Sequence, residues 1–209
     1  MILPEMNGST SRIGVDEAGR GPLLGPMVIA TVHVPSEDRW LKSSPVTDSK
    51  DLTAEERVDL VKEIIDRYNY RAVIISPKEI DEAVTKPGDS LTNLEIRYIE
   101  QLIRVETPNQ IIIDAPTKQN PFTADNIVYE HEADANYKCV GAASILAKTI
   151  RDQAIQRISK ETGADIGSGY PSDPTTKAYV READLDQHFI RSSWEPIRRR
   201  KTEREQESL

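Results

Sequence analysis

The segment Gly14-Val15-Asp16-Glu17-Ala18-Gly19-Arg20-Gly21-Pro22 ends a short apolar run on two adjacent carboxylates and then turns through glycine, arginine and proline. This pattern limits what the run can be, because burying an ionised carboxylate without a partner is expensive. A strand that carries its acids to a bound cation resolves the conflict, and hard divalent cations such as Mg²⁺ prefer oxygen ligands. The Gly-Arg-Gly that follows lets backbone approach a ligand closely and offers a guanidinium to a phosphate or sugar. Acids for a metal beside a donor for phosphate point to phosphodiester chemistry.

The rest of the chain alternates in period. Arg12 to Asp16 and Met27 to Val34 read as strands joined through the turn of residues 19–26, near enough in sequence to pair antiparallel. Tyr70 to Ser76, Gln110 to Asp114 and the weaker Asn126 to Glu130 are further β-branched runs. Thr53-Ala54-Glu55-Glu56 is a capping box, followed by Val58, Val61, Ile64 and Ile65 at helical spacing. Thr92-Asn93-Leu94-Glu95 offers a second box, opening a helix to about Val105. Ala143, Leu146, Ala147, Ile150, Ala154 and Ile158 mark one face of a third helix. Strands that alternate with helices imply parallel crossovers. The expectation is an α/β fold with a mixed five-stranded sheet flanked by helices over residues 1–162. A helical C-terminal region over 163–209, in the same domain or a small subdomain, contributes to substrate binding.

With 209 residues the chain can bury one sizeable core. No apolar run approaches the ~18 residues of a membrane span. The polar start, Met1 to Ser11, has no signal-peptide core and reads as cytoplasmic. Cys139 is the only cysteine, which excludes an internal disulfide and a cysteine-based zinc site. His33, His131 and His188 are too scattered to form a metal cluster. A net charge of −8 argues against nucleic-acid binding only until carboxylates are assigned to cations, since local distribution matters more than the sum. The run Arg198-Arg199-Arg200-Lys201 reads as a solvated helix end rather than a phosphate-binding arm.

Two further acids stand out. Asp114 ends Ile111-Ile112-Ile113, at the C-terminal end of a buried strand, where α/β sheets bind ligands. A turn or cap aspartate is the competing reading, supported by Pro116. Asp134 precedes the alanine-rich helix and reads as its N-cap or as a ligand. Consecutive strand residues point to opposite faces, so Asp16 and Glu17 share a site only if the strand ends or bulges there. Four carboxylates from separated segments would suit two cations about 4 Å apart.

GVDEAGRGPLLGP, DSKDLT at 48–53, IIIDAP at 111–116, DANYKCVGAASILAKTIRD at 134–152 and GSGYPSDP at 167–174 occur in an order that resembles ribonuclease HII of the archaeal type. The resemblance spans about Ile13 to Trp194. It implies an RNase H-like fold, hydrolysis of RNA within RNA/DNA duplexes, and incision 5′ to a ribonucleotide embedded in duplex DNA. The ends produced are 3′-hydroxyl and 5′-phosphate, and Mg²⁺ or Mn²⁺ is required. Asp16, Glu17, Asp114 and Asp134 match the family's metal-binding, catalytic acids. Gly19, Arg20 and Gly21 match the motif that contacts the ribose 2′-hydroxyl and adjoining phosphates. Tyr170 matches the tyrosine that stacks on the deoxyribose after the ribonucleotide, and Lys50 and Lys148 match positions near substrate phosphates. Without the resemblance, Tyr170 reads equally as a turn aromatic covering the core, and both lysines as solvated.

Tyr137-Lys138-Cys139-Val140-Gly141 departs from the family's more usual Tyr-Pro-Val-Val-Ser. Lysine for proline relaxes the backbone after Asp134, and glycine for serine lowers helix propensity by up to about 1 kcal/mol. No sliding-clamp peptide stands out in the polar tail Glu203 to Leu209, and nothing demands more than a monomer. The sister ribonuclease HIII shares the motifs but carries an N-terminal substrate-binding domain, for which the residues before Ile13 leave no room. A catalytically silent hybrid-binding module would have lost a metal acid, whereas all four are present.

Overall fold

Valine and isoleucine crowd five segments that pair into one mixed sheet flanked by helices. The computed structural model describes residues 10–46 and 52–207. The strands are β1 (Ser11–Ala18), β2 (Met27–Pro35), β3 (Asn69–Ile75), β4 (Gln110–Asp114) and β5 (Ile127–Glu130), in the spatial order β3-β2-β1-β4-β5. They fall where the β-branched runs place them, with ends moved by a residue or two. β1 runs parallel to β4, and β4 parallel to β5. β1 and β2 are buried on both faces, as central strands covered by helices are, whereas the edge strand β3 is largely exposed.

Among the described residues the helices are α1 (Arg39–Ser43), α2 (Ala54–Arg67), α3 (Pro77–Thr85), α4 (Leu91–Ile103), α5 (Ala133–Asn136), α6 (Lys138–Thr162), α7 (Pro174–Glu182) and α8 (Glu195–Glu207). The Thr53 capping box forms as expected, with the Thr53 side chain on the Glu56 amide and Glu56 on the Thr53 amide. The box expected at Thr92 does not form. The helix starts earlier, at Leu91, because the Ser90 hydroxyl accepts from the Asn93 amide at 3.1 Å. A genuine box lies unread at Ser76-Pro77-Lys78-Glu79, with proline in the first turn of α3. α6 also differs from the single apolar stripe expected of it. Cys139 to Ala147 are buried all round, and only beyond Ile150 does one face prevail, through Arg151, Ile155 and Ile158.

The described residues within Met1–Ala18, Ile29–Val73 and Glu95–Thr149 form one compact unit, and those within Gly19–Val28, Ile74–Leu94 and Ile150–Leu209 form a second. The core of the first is built from residues such as Ile13, Val15, Ile111, Ile112, Ile113, Val140 and Leu146. The second has its own cluster, in which Leu23, Leu24, Ile155, Ile158, Ile166, Val180, Leu185, Phe189, Ile190 and Ile197 pack together. In that unit the basic run of α8 is engaged: Arg199 and Arg200 pair with Glu203, and Lys201 with Asp186.

Glycine at 141 follows from close approach. A Cβ there would lie 2.5 Å from the Val46 carbonyl oxygen and 2.9 Å from its carbon. The departure from serine therefore lets α6 seat closely against the Val46 backbone. Lys138 in turn donates to the Ser44 carbonyl at 2.5 Å. Gly141→Ser is expected to destabilise the protein by about 1–3 kcal/mol through overpacking, read as a lower thermal midpoint. An unchanged midpoint would show that the Val46 segment yields freely.

Candidate active site

The acids are gathered by strand register. The last paired residues of β1 and β4 are Val15 and Ile113, so Asp16 and Asp114 are the next residues on parallel neighbours. In-register residues of adjacent strands project from the same face, which sets these two carboxyls side by side. Asp134 arrives from α5, after a turn whose Glu132 holds φ 59°. A left-handed conformation at a non-glycine residue costs of order 1 kcal/mol or more and marks a segment held by its surroundings.

Asp134 is the second residue of α5 and not its N-cap. Glu132 occupies the cap position without a side-chain bond, and the Asp114 carboxylate supplies it instead, accepting from the Ala133 amide at 3.1 Å. Asp16, Asp114 and Asp134 each offer an oxygen, and these oxygens lie within 4.8 Å of one another. Asp16 and Asp134 are buried, at 6% and 5% exposure, while Asp114 is half-buried. Glu17 lies outside this trio. β1 continues through it to Ala18, and its amide donates to Asp16 Oδ1 at 2.8 Å.

Electrostatics set the chemistry. Burial pushes the Asp16 carboxyl up to about 7, with the Asp114 charge adding to the rise. The Ser144 hydroxyl, the Glu17 amide and the Lys148 ammonium pull it partly back. Asp114 is raised by burial and by Asp134, against the Ala133 and Glu132 amides and His131. Three carboxylates without thiol or imidazole, gathered within one ligand shell, make a donor set suited to a hard divalent cation. Lys148 is half-buried and close enough to act on Asp16, which is more than a solvated lysine does. Ser144, wholly buried among alanines, is the member of this site that its sequence setting leaves unmarked. A hydroxyl in an apolar helix stretch is its one local signal. Lys50 lies outside the described residues.

The remaining candidates belong to the second unit. Gly19, Arg20 and Gly21 form a loop in which Arg20 donates to the Thr92 hydroxyl at 3.1 Å. Tyr170 is 36% exposed, and its ring lies over the Arg151 guanidinium at 4.8 Å. It is presented on a pinned turn, with its ring against the buried Arg151 side chain. Gly169 accepts from the Leu23 amide at 2.7 Å, and Thr176 bridges the Gly169 amide and the Ile166 carbonyl. Asp173 caps α7 and accepts from the Ser168 amide at 2.6 Å, contacts that hold its carboxyl down at about 2.

A family model for ribonuclease HII matches residues 13–197. The chain belongs to the ribonuclease HII family. It is 40% identical over 202 residues to ribonuclease HII of Methanobrevibacter smithii, covering 90% of this chain and 97% of that protein. Among solved structures it is similar to ribonuclease H2 from Pyrococcus horikoshii OT3, with a TM-score of 0.83 and 33% identity over 93% of this chain and 98% of that one. It also matches Bst-RNase HIII in complex with Mn²⁺, with a TM-score of 0.78 and 18% identity over 96% of this chain and 72% of that one. At that identity the likeness shows a common fold, whereas the family model and the 40% relative place the chain with ribonuclease HII. As a ribonuclease H, it is a metal-dependent hydrolase of phosphodiester bonds.

A carboxyl raised by folding binds its proton more tightly in the native state than in the unfolded chain. Its stabilising effect is full below the ordinary carboxylate range and is lost as pH rises toward 7. The metal-free protein is therefore expected to lose stability between about pH 4 and pH 7, and Mg²⁺ to restore it above that range. At pH 8, Asp16→Asn should raise the metal-free melting temperature by about 2–8 °C and abolish the Mg²⁺-dependent rise. Calorimetry with and without Mg²⁺ checks both. A lower metal-free melting temperature would contradict the account of Asp16 as a charge disfavoured by burial and by Asp114.

Proposed function

We propose that this ribonuclease hydrolyses the RNA strand of RNA/DNA hybrids and incises duplex DNA on the 5′ side of an embedded ribonucleotide, leaving 3′-hydroxyl and 5′-phosphate ends. The observation that carries the reading is the convergence of Asp16, Asp114 and Asp134, from three separate segments, to within one ligand shell.

In this reading Asp16, Asp114 and Asp134, with Glu17 as a fourth acid, hold a pair of Mg²⁺ or Mn²⁺ ions. When bound, such ions generate a nucleophile from water at neutral pH and stabilise the leaving oxygen. The chain's own groups do the rest. Asp114 accepts from the Ala133 amide and so fixes the start of α5, which carries Asp134. Ser144 and Lys148 favour the ionised form of Asp16, keeping it available as a ligand. The Gly19–Gly21 loop reads the ribose, since its backbone amides can donate to the oxygen of a 2′-hydroxyl. Tyr170, held on Arg151, stacks on the sugar that follows, where an added hydroxyl would clash. A silent hybrid-binding module is disfavoured because it has no use for three crowded carboxylates.

Asp114→Asn keeps an acceptor for the Ala133 amide and should leave the fold and duplex binding largely intact. Cleavage of a duplex holding one ribonucleotide should fall by about 10³-fold or more at saturating Mg²⁺, measured on a denaturing gel. Near-normal turnover would refute the assignment. Tyr170→Ala should impair incision at a single ribonucleotide more than cleavage of a long hybrid. Equal losses would reduce Tyr170 to a structural residue.

A further inference from the structure

Arg191 is the largest wholly buried side chain among the described residues, at 0% exposure. Its guanidinium serves main-chain carbonyls, through Nη2 to Gly19 at 2.6 Å, Nη1 to Arg20 at 2.9 Å and Nε to Gly25 at 3.0 Å. Trp194, whose ring lies 5.1 Å from the same guanidinium, turns its indole N–H to the Gly21 carbonyl at 3.4 Å. Three consecutive carbonyls, those of residues 19, 20 and 21, are thus drawn toward one pair of side chains.

The peptide bonds among the described residues are trans, and across a trans peptide the N–H points opposite to the carbonyl. The carbonyls of Gly19 and Arg20 face Arg191, so the amides of Arg20 and Gly21 are turned the other way. Pro22 has no amide to contribute. Successive amides aimed to one side make a concavity for an anion or a hydroxyl oxygen. Gly19 holds φ +87°, and a Cβ there would lie 2.4 Å from Arg151 Nε, so the loop rests on a second buried guanidinium as well.

Arg191 is itself held from both sides. Its amide donates to the Leu23 carbonyl at 2.9 Å, next to the antiparallel bridge between Leu24 and Ile190. Just beyond it, Asp81 of α3 accepts from the Ser192 amide at 2.8 Å, the Ser193 amide at 3.0 Å and the Ser193 hydroxyl at 2.5 Å. Burial, with the nearby Arg151 charge, lowers the Arg191 guanidinium to about 9. A buried cation kept only for packing can often be replaced by an apolar side chain at little loss. This one instead orients the peptides of the one loop matched to ribose recognition.

We propose that Arg191 is the positioning residue for ribose recognition, holding the Gly19 and Arg20 carbonyls so that the Arg20 and Gly21 amides form a fixed outward pair for the 2′-hydroxyl and its adjoining phosphate. The inference rests on the ribonuclease reading above.

Arg191→Lys keeps the charge but loses the planar fork that reaches three carbonyls. In Mg²⁺-dependent incision of a DNA duplex holding one ribonucleotide, it should raise KM about tenfold and change kcat less than about threefold. In Ca²⁺, with the duplex verified as uncut, affinity for that duplex should fall in step while affinity for an all-deoxy duplex stays the same. Ile197→Val, in the same unit's core, should change none of these. If Arg191→Lys does not fold, Trp194→Phe takes its place, with an expected rise in KM of about threefold. An unchanged KM, a loss confined to kcat, or parallel loss of all-deoxy binding would overturn the inference. Absence of incision by the unmodified protein would instead overturn the ribonuclease reading.

Discussion

The register between β1 and β4 governs the first unit. Val15 opposite Ile113 puts Asp16 and Asp114 at the first positions beyond the paired ladder, on the same face. A slip of one residue would send Asp16 to the opposite face and break up the acid group. The register is held by close packing on both faces, where Ile13, Val15, Ile111 and Ile113 are all buried and a shift would misfit each to its neighbours. The core thus determines the spacing of charges that the core itself disfavours. A divalent cation held among them would offset their repulsion.

Among the described residues, each unit keeps fully buried charge of one sign. The first gathers carboxylates at the ends of strands and at the start of a short helix. The second buries the guanidinium groups of Arg151 and Arg191 and satisfies them largely with backbone carbonyls. In the first, the charged oxygens crowd against one another. In the second, charge orients neutral peptide groups, which then face outward. Arginine suits the second task because its fork engages several carbonyls at fixed angles.

Sequence reasoning reaches what is written locally. The five strands are legible as β-branched runs, and the Thr53 box as a spacing of three. The Ser76 box is equally local and was obscured by its position at the end of a strand pattern. α6 misleads because alanine fits any face, so periodicity cannot separate a stripe from burial all round. Asp16 and Asp114 are visible as acids closing apolar strands. Asp134 is ambiguous because a helix-start aspartate usually caps, whereas here the cap comes from Asp114, nineteen positions earlier. Arg191 carries no local signal, because its partners Gly19 and Arg20 lie 172 and 171 positions away.

The bond from Asp114 to the Ala133 amide has a consequence for how this position can change. One oxygen of that carboxyl acts as a splint for the next helix, within a group whose charge stands beside those of Asp16 and Asp134. Reach and charge are therefore separate demands on one side chain. Asparagine satisfies the first and fails the second, whereas glutamate preserves the charge and displaces the splint by a methylene. Change at this position is therefore constrained in both reach and charge, so a side chain of the acid group also dictates the shape of its surroundings.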